Sequence, residues 1–486
     1  MAMNRPVGIK SFGGYVPWLR LERSAIADSH AWFDPSVRGK GKGRRAISNW
    51  DEDPLTMAVE AARRCGVSGF SDRIGSLFFA STSAPFADRQ NAAIIKEALN
   101  LPDSIETLDV SGSRRAGTSA LLAALHAARG DGADVLCVGA EKPRAQPLSE
   151  GEFAAGDGAA ALCVGTESLA AEFIGSHSAS MDFVDQFRGA DAEFDYVWES
   201  RWIREEGYGK IVVAAVRAAF EKAGIDAKDV KHFLMDAPMA GVAARTAKLV
   251  GVADSAVHPG LSAEVGFAGS AAPLIQLVHA LEGAGSDELA VLVGFGQGCD
   301  VLIFKTTPSI AARQPAQSLR ACIRGGKATS NYMRYLVIND YLAIERGMRA
   351  EMDLKTALTT LYRDRKTILG LVGARDRATG AVQYPRSEIP LGSATGQQGD
   401  WEDYPFADRE AKVVSFTADK LTFSIDPPAY YGMLDFEGGG RMILDFTDMD
   451  PADAVVGRAM RMSFRVKGRD RVRGFVNYFW KGVPQR

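Results

Sequence analysis

Between residues 7 and 306 short apolar runs alternate with alanine-rich amphipathic stretches. IGSLFFA, ADVLCVGA, AAALCVG, KHFLMDA and ELAVLVGF have the length and apolar continuity of buried strands, and the stretches between them carry helical spacing. Two helices stand out. TMAVEAARRCGV from Thr56 and AGTSALLAALHAARG from Ala116 are small or apolar nearly all round, as helices enclosed between layers are. The order strand, glycine-containing turn, alanine-rich helix recurs. GADVLCVGAEK followed by GDGAAALCVG is echoed by KHFLMDAPMAG and DELAVLVGFGQGCDVLIF. The pattern predicts an α/β layered core built from two related halves.

After Lys305 the texture changes. TTPSIAARQPAQS clusters Pro, Ser and Gln as a linker does. Residues 320–366 are polar and helical in pattern. From 367 to 486, β-branched and aromatic residues are broken by Gly and Pro, and AKVVSFTA, LTFSID, RMILDFTD and RMSFRVKG predict a small β-barrel. The expected organisation is therefore a core over 1–306, a linker and helical segment over 307–366, and a barrel domain over 367–486. The barrel ends in Arg458, Arg461, Arg465, Lys467, Arg469, Arg471 and Arg473, which are either solvated strand faces or an anion-binding surface.

A chain of 486 residues has room for two or three domains at roughly 150 residues each. With 57 Lys and Arg against 60 Asp and Glu the net charge is only -3, which points to neither nucleic acid nor an anionic membrane surface. No apolar run approaches the roughly 20 residues of a spanning helix, and MAMNRPVGIK lacks the apolar stretch of a secretory signal. A soluble cytoplasmic protein is expected. The five cysteines are scattered without a CxxC pair, which makes a disulfide framework or a thiolate metal site improbable.

DEDPLTMAVEAA and LDVSGSRRAGTSALLAAL resemble the thiolase superfamily, especially hydroxymethylglutaryl-CoA synthase and ketoacyl-acyl-carrier-protein synthase III. GEFAAGDGAAALCVG resembles that family's GDGA strand, EVGFAGSAAPLI its asparagine-bearing GN motif, and VLVGFGQGCDVLIF its last glycine-rich strand. Together these cover about residues 7–306. The resemblance implies a thiolase-type fold, coenzyme A as co-substrate, and a homodimer formed through ADVLCVG or ETLDVSG. The C-terminal part, through DPPAYYGMLDFEGGGRMILDFTD and RGFVNYFWK, resembles an OB-fold preceded by a rubredoxin-like zinc ribbon. Where such ribbons carry two cysteine pairs, ARDRATG and SEIPLGS place Asp376, Thr379, Pro390 and Ser393. Zinc needs four thiolate or imidazole-type donors, so no bound zinc is expected.

The family's catalytic residues are replaced. Its nucleophilic cysteine position falls on Arg114, its histidine on Asp236, its asparagine on Phe267, and its acid/base glutamate near Thr82. An acyl-cysteine cannot form where no thiol stands. Cys299, after GFGQG, is either a displaced nucleophile or a packing residue. Arg114 either fills a dead pocket as an ion pair with Asp236 or binds a substrate carboxylate or oxyanion. Its neighbour Arg115 leaves open which arginine points inward. The family's oxyanion hole maps onto the Arg114 N–H and a group within Gly296, Gln297 and Gly298. The segment DFVDQFRGADAEFDYVWESRWIREEGY gathers Asp185, Arg188, Tyr196, Trp198, Glu199, Arg201 and Tyr208, either as a pocket suited to an aromatic acyl group or as a packed cap. In RGKGKGRR, Arg38, Lys40, Lys42, Arg44 and Arg45 are either phosphate contacts for coenzyme A or a solvated basic loop.

The expected activity is CoA-dependent cleavage of a C–C bond in a β-keto acid, by direct attack of the CoA thiol. Arg114, Asp236, Gly296 and Gly298 would be catalytic. Arg115, Thr82, Phe267, Tyr196 and Trp198 would bind the substrate. A retro-aldolase acting on a β-hydroxyacyl-CoA and a non-catalytic acyl-CoA-binding scaffold are the alternatives.

Overall fold

The computed structural model describes residues 5–391, 396 and 398–486. The chain divides into two compact units. The first holds the chain up to Ser48 together with Met57–Ala93 and Pro102–Tyr335; the second holds Asn49–Thr56, Ile94–Leu101 and Leu336–Arg486.

The first unit is built on a nine-stranded mixed sheet. Its spatial order is Val230–Leu234, Leu289–Phe295, Gly298–Thr306, Ala171–Ser180, Gly8–Tyr15, Gly158–Gly165, Asp134–Glu141, Ile74–Ala80 and Glu106–Val110. The predicted strands are all present, and Asp134–Glu141 and Gly158–Gly165 are buried at every position, which is why they read as continuous apolar runs instead of alternating ones. The duplication is visible in the ladders. Ile74–Ala80 pairs parallel with Asp134–Glu141, which pairs antiparallel with Gly158–Gly165. Val230–Leu234 pairs parallel with Leu289–Phe295, which pairs antiparallel with Gly298–Thr306.

Between the members of each parallel pair the chain crosses through a buried helix, Ala116–Asp131 in one half and Ala272–Leu281 in the other. These two helices touch. At Gly117 a Cβ would lie 2.2 Å from Ser270 O, so only glycine lets the start of the first helix approach the turn before the second.

The expected dimer strand ADVLCVG is excluded as an edge, because Asp134–Glu141 has hydrogen-bonded neighbours on both sides. ETLDV (Glu106–Val110) does lie at the sheet edge, with Leu108 43% exposed. The proposed linker is not a free tether either. Ile310, in the Pro308–Arg313 turn, and Leu319, at the start of the Leu319–Arg324 helix, are buried in the first unit's core. The first unit therefore continues well past the change in texture at Lys305.

In the second unit a three-stranded sheet (Val372–Asp376, Val382–Gln383, Trp401–Pro405) accompanies a five-stranded one. The latter has the order Arg441–Asp445, Ala429–Phe436, Ala411–Asp419, Ala459–Asp470, Phe475–Pro484. Its two ends meet where Phe446 bridges Gly482 and Thr447 N donates to Gly482 O at 2.9 Å, so the sheet curls toward a barrel. LTFSID forms no strand; it belongs to the connection between Ala411–Asp419 and Ala429–Phe436.

The basic C-terminal stretch is largely neutralised within the unit: Arg458 pairs with Asp453, Lys467 with Asp445, Arg471 with Asp340 and Arg473 with Asp470. Arg465 is buried. Its guanidinium lies 2.9 Å from Glu52 Oε1, 2.7 Å from Asp448 Oδ2 and 3.4 Å from Asp51 Oδ1, while Lys481 Nζ lies 2.8 Å from Asp51 Oδ2. Burial opposes ionisation of Asp51, but Lys481 and Arg465 outweigh it and hold the carboxyl below the usual aspartate value. Removing one partner would leave the carboxylates buried and uncompensated. Arg465→Met is accordingly expected to destabilise the second unit by about 3–5 kcal/mol, measured by denaturant unfolding; a change within error would show that the cluster carries no such strain.

Candidate active site

Arg114 and Arg115 immediately precede the Ala116–Asp131 helix and turn opposite ways. Arg115 donates from Nη1 to Asp300 Oδ1 at 2.9 Å and from Nη2 to Ser180 Oγ at 2.8 Å. Asp300 is buried and also accepts from Ser119 Oγ and Thr118 Oγ1. Arg115 therefore anchors the helix start to the Gly298–Thr306 strand, and the expectation that it contacts substrate is corrected. Arg114 faces a cavity of about 280 Å³. Its Cζ stands 5.5 Å from the centre of the Phe267 ring, and its Nη1 lies 3.7 Å from Asp185 Oδ2. The carboxylate paired with Arg114 is thus Asp185, not Asp236.

The cavity wall carries Thr82, Glu141, Tyr196, Trp198 and Phe267 alongside Arg114. Thr82, Phe267, Tyr196 and Trp198 are brought together as expected. Glu141 was not anticipated. It closes the Asp134–Glu141 strand, is buried, and accepts from Thr82 N (2.9 Å), Thr82 Oγ1 (3.0 Å), Ser83 Oγ and Ser270 Oγ. These donors satisfy the oxygens of a buried carboxyl group. The one sequence signal for it is an acidic residue ending an otherwise apolar run, ADVLCVGAE. The Gln186–Phe187 and Tyr196–Val197 strands form a small hairpin that supplies Gln186, Tyr196 and Val197 to the wall. It is tied down by Asp195 N donating to Arg144 O and by Arg188 pairing with Asp195 at 2.7 Å.

Gly296 and Gly298 act through shape. A Cβ on Gly296 would sit 2.9 Å from Arg114 N, and one on Gly298, at φ 120°, would sit 2.1 Å from Ala179 O. The Gly296 N–H is spent on Gly298 O at 3.0 Å, and neither glycine lines the cavity. They are corrected from donors to spacers that let the turn approach Arg114. The Gln297 N–H is directed to the Asp185 carboxyl.

Two carboxyl groups and a phenol, Asp185, Asp236 and Tyr208, lie within electrostatic reach of one another, and none of them lines the cavity. Burial pushes Asp185 up against the opposing pull of Arg114, and burial pushes Asp236 up to about 7, only partly countered by the Ala237 N–H. Tyr208 is buried within electrostatic reach of Arg114, Asp185 and Asp236, and its phenol is likewise pushed up by burial. Asp236 itself does not line the cavity; Pro238 of the same loop does.

The basic segment is not a mobile glycine loop. Pro35–Lys40 is a 3-10 turn and Arg44–Ile47 a strand. Arg38, Lys42 and Arg44 are exposed, and Lys40 lies 3.4 Å from Glu150. Arg45 is buried, donates to Glu152 O at 2.6 Å and stacks 5.2 Å from the Tyr335 ring; it is corrected from a phosphate contact to a packing residue. At the ribbon positions Asp376 Oδ2 accepts from Thr379 N (2.9 Å) and Oγ1 (2.6 Å), and Pro390 has no donor atom to offer; Ser393 lies outside the described residues. These residues do not fit zinc. Among the described residues no group of three or more His, Cys, Asp or Glu is arranged to hold a metal, and no helix is long and apolar enough to cross a membrane.

No family model matches the chain. It is 30% identical over 315 residues to the hydroxymethylglutaryl-CoA synthase of Archaeoglobus fulgidus, covering 63% of this chain and 90% of that one. It is 31% identical over 315 residues to the same enzyme of Aeropyrum pernix, covering 63% and 87%. Among solved structures, a synthase described as "HMG_CoA synthase complexed with CoA" superposes with a TM-score of 0.63 at 14% identity, covering 72% of this chain and 94% of that one. The likeness establishes the thiolase-type fold.

No cysteine lines the cavity. Burial pushes the thiols of Cys65 and Cys137 up to about 11 and about 12, and those of Cys163 and Cys299 up as well. Only Cys322 is half-exposed. A thiol-exchange reagent at about pH 8 is expected to titrate at most Cys322 in the native protein, and all five cysteines after denaturation. Native labelling of Cys299, located by peptide mass, would restore it as a nucleophile.

Proposed function

Because the chain belongs to the hydroxymethylglutaryl-CoA synthase family, whose members are CoA-dependent acyltransferases of the thiolase superfamily, we propose that it transfers an acyl group to coenzyme A by cleaving a β-keto acid, without an acyl-cysteine. The observation that carries the reading is the Arg114 guanidinium facing the cavity where the family's motif places a thiol. Arg114 binds the carboxylate of the keto acid. The CoA thiol gives its proton, through one bridging water, to Asp236, whose carboxyl burial pushes up to about 7, and the thiolate attacks the ketone carbon. The tetrahedral oxygen is held by the Arg114 N–H. When the C–C bond breaks, its electron pair passes to the departing acid as an enolate, which takes back the proton. The products are an acyl-CoA and a short acid. Tyr196 and Trp198 suit an aromatic acyl group. Arg38, Lys40, Lys42 and Arg44 are left as the cations for the nucleotide phosphates.

A retro-aldol cleavage of a β-hydroxyacyl-CoA is the second reading, favoured by the same raised carboxyl of Asp236, which would take the hydroxyl proton. We further read the first unit, which runs on to Tyr335, as the acyl-transfer domain, and residues 367–486 of the second unit as an OB-fold with a zinc ribbon that has lost its metal. The protein would act in the cytoplasm as a homodimer joined at the Glu106–Val110 edge.

Mass spectrometry of reactions with CoA and a panel of β-keto acids is expected to show a new acyl-CoA. Release of an aldehyde or ketone from β-hydroxyacyl-CoAs would favour the aldolase, and CoA binding with no product would leave a scaffold. Arg114→Ala keeps the backbone N–H but removes the guanidinium, and should lower kcat/KM by about 10–10²-fold with unchanged circular dichroism; an unimpaired variant removes the role. Since the base must be ionised, kcat measured at saturating substrate should rise with pH through about 7, and Asp236→Asn should abolish that rise.

A further inference from the structure

Arg114 has one ion pair among the described residues, and its geometry is loose. The Asp185 carboxyl is 2% exposed. Its Oδ2 has no hydrogen-bond partner, and Arg114 Nη1 stands 3.7 Å away, beyond hydrogen-bond distance. A buried acceptor left without a donor is costly, so a donor or a proton at this oxygen is favoured. The next residue, Gln186, lines the cavity with its Oε1 also unpartnered. Asp185 opens the hairpin that roofs the cavity, and its carbonyl accepts from Trp198 N at 3.0 Å.

We propose that Asp185 is the internal counter-ion of Arg114, a positioning residue whose place a substrate carboxylate takes, so that binding of the anionic substrate takes up one proton from solvent onto Asp185. This rests on the reading that Arg114 holds the substrate's carboxylate. Once the substrate carboxylate claims the guanidinium, Asp185 would be a second negative charge in the same dry site, and two carboxylates so placed cannot both stay ionised. The groups that face Asp185 do not replace the lost cation. They are the Tyr208 phenol from the Ile203–Val212 segment, the Gln297 N–H from the hairpin turn, and the N–H groups of Asp185 and Gln186 themselves. Asp236 and Cys299, which also act on Tyr208, add no positive charge. Burial already pushes the Asp185 carboxyl upward. The device therefore selects anionic acyl groups and favours them as pH falls.

The test is calorimetry of acetoacetate binding, without CoA, in two buffers of different ionisation enthalpy. Wild type is expected to take up about one proton, with Kd rising by up to about tenfold per pH unit as pH rises above the usual carboxylate range. Asp185→Asn should bind with no proton uptake and no pH dependence, and Asp185→Glu should restore both, which a purely structural role for the side chain would not produce. Absence of proton uptake in wild type, or uptake unchanged in Asp185→Asn, overturns the assignment while leaving the carboxylate site standing. Acetoacetate that does not bind wild type, or binds Arg114→Ala equally well, overturns the carboxylate site and this assignment with it.

Discussion

A guanidinium cannot be taken out of water alone, and the inner end of the cavity is arranged around that constraint. Arg114 is always charged, yet it stands where the walls are Phe267, Gly269 and the buried ends of strands. Three features make it tolerable: the ring face of Phe267 beneath it, the carboxylate of Asp185 beside it, and an opening through which a ligand can reach it. Its neighbour Arg115 meets the same constraint differently, through hydrogen bonds to Asp300 and Ser180. One arginine is consumed by the fold and the other is left to the cavity.

The layered core makes that division possible. Gly117 and Gly296 bring the helix start, the Ser270 turn and the hairpin turn closer to one another than any side chain would permit. The backbone at Arg114 is consequently fixed from two sides, and only its side chain is free to answer a ligand. Glu141 organises the opposite wall. By collecting donors from Thr82, Ser83 and Ser270 it ties two separate chain segments to one carboxyl group. No thiol lines this cavity.

The strands and the two enclosed helices were legible in the sequence, because continuous apolar runs and helical spacing are local properties. What was not legible depends on tertiary contact. Adjacent Arg114 and Arg115 are indistinguishable until Asp300 and Asp185 arrive from more than fifty residues away. Arg45 reads as a member of a basic loop, but a strand turns it inward against Tyr335. Ile310 and Leu319 lie in a segment whose Pro, Ser and Gln content suggests a tether, and the core claims them. Glu141 gave only a faint signal, since its donors come from distant positions.

The central claim is that acyl transfer here proceeds without a covalent acyl-enzyme, with Arg114 holding the anion. The most direct measurement is the intact mass of the protein, quenched during turnover of CoA and a β-keto acid, with the product read in the same sample and Arg114→Cys run in parallel. The account predicts unmodified wild-type protein while acyl-CoA accumulates, and an acyl increment only on the cysteine variant. An acyl increment on the wild type, or no acyl-CoA at all, would contradict it.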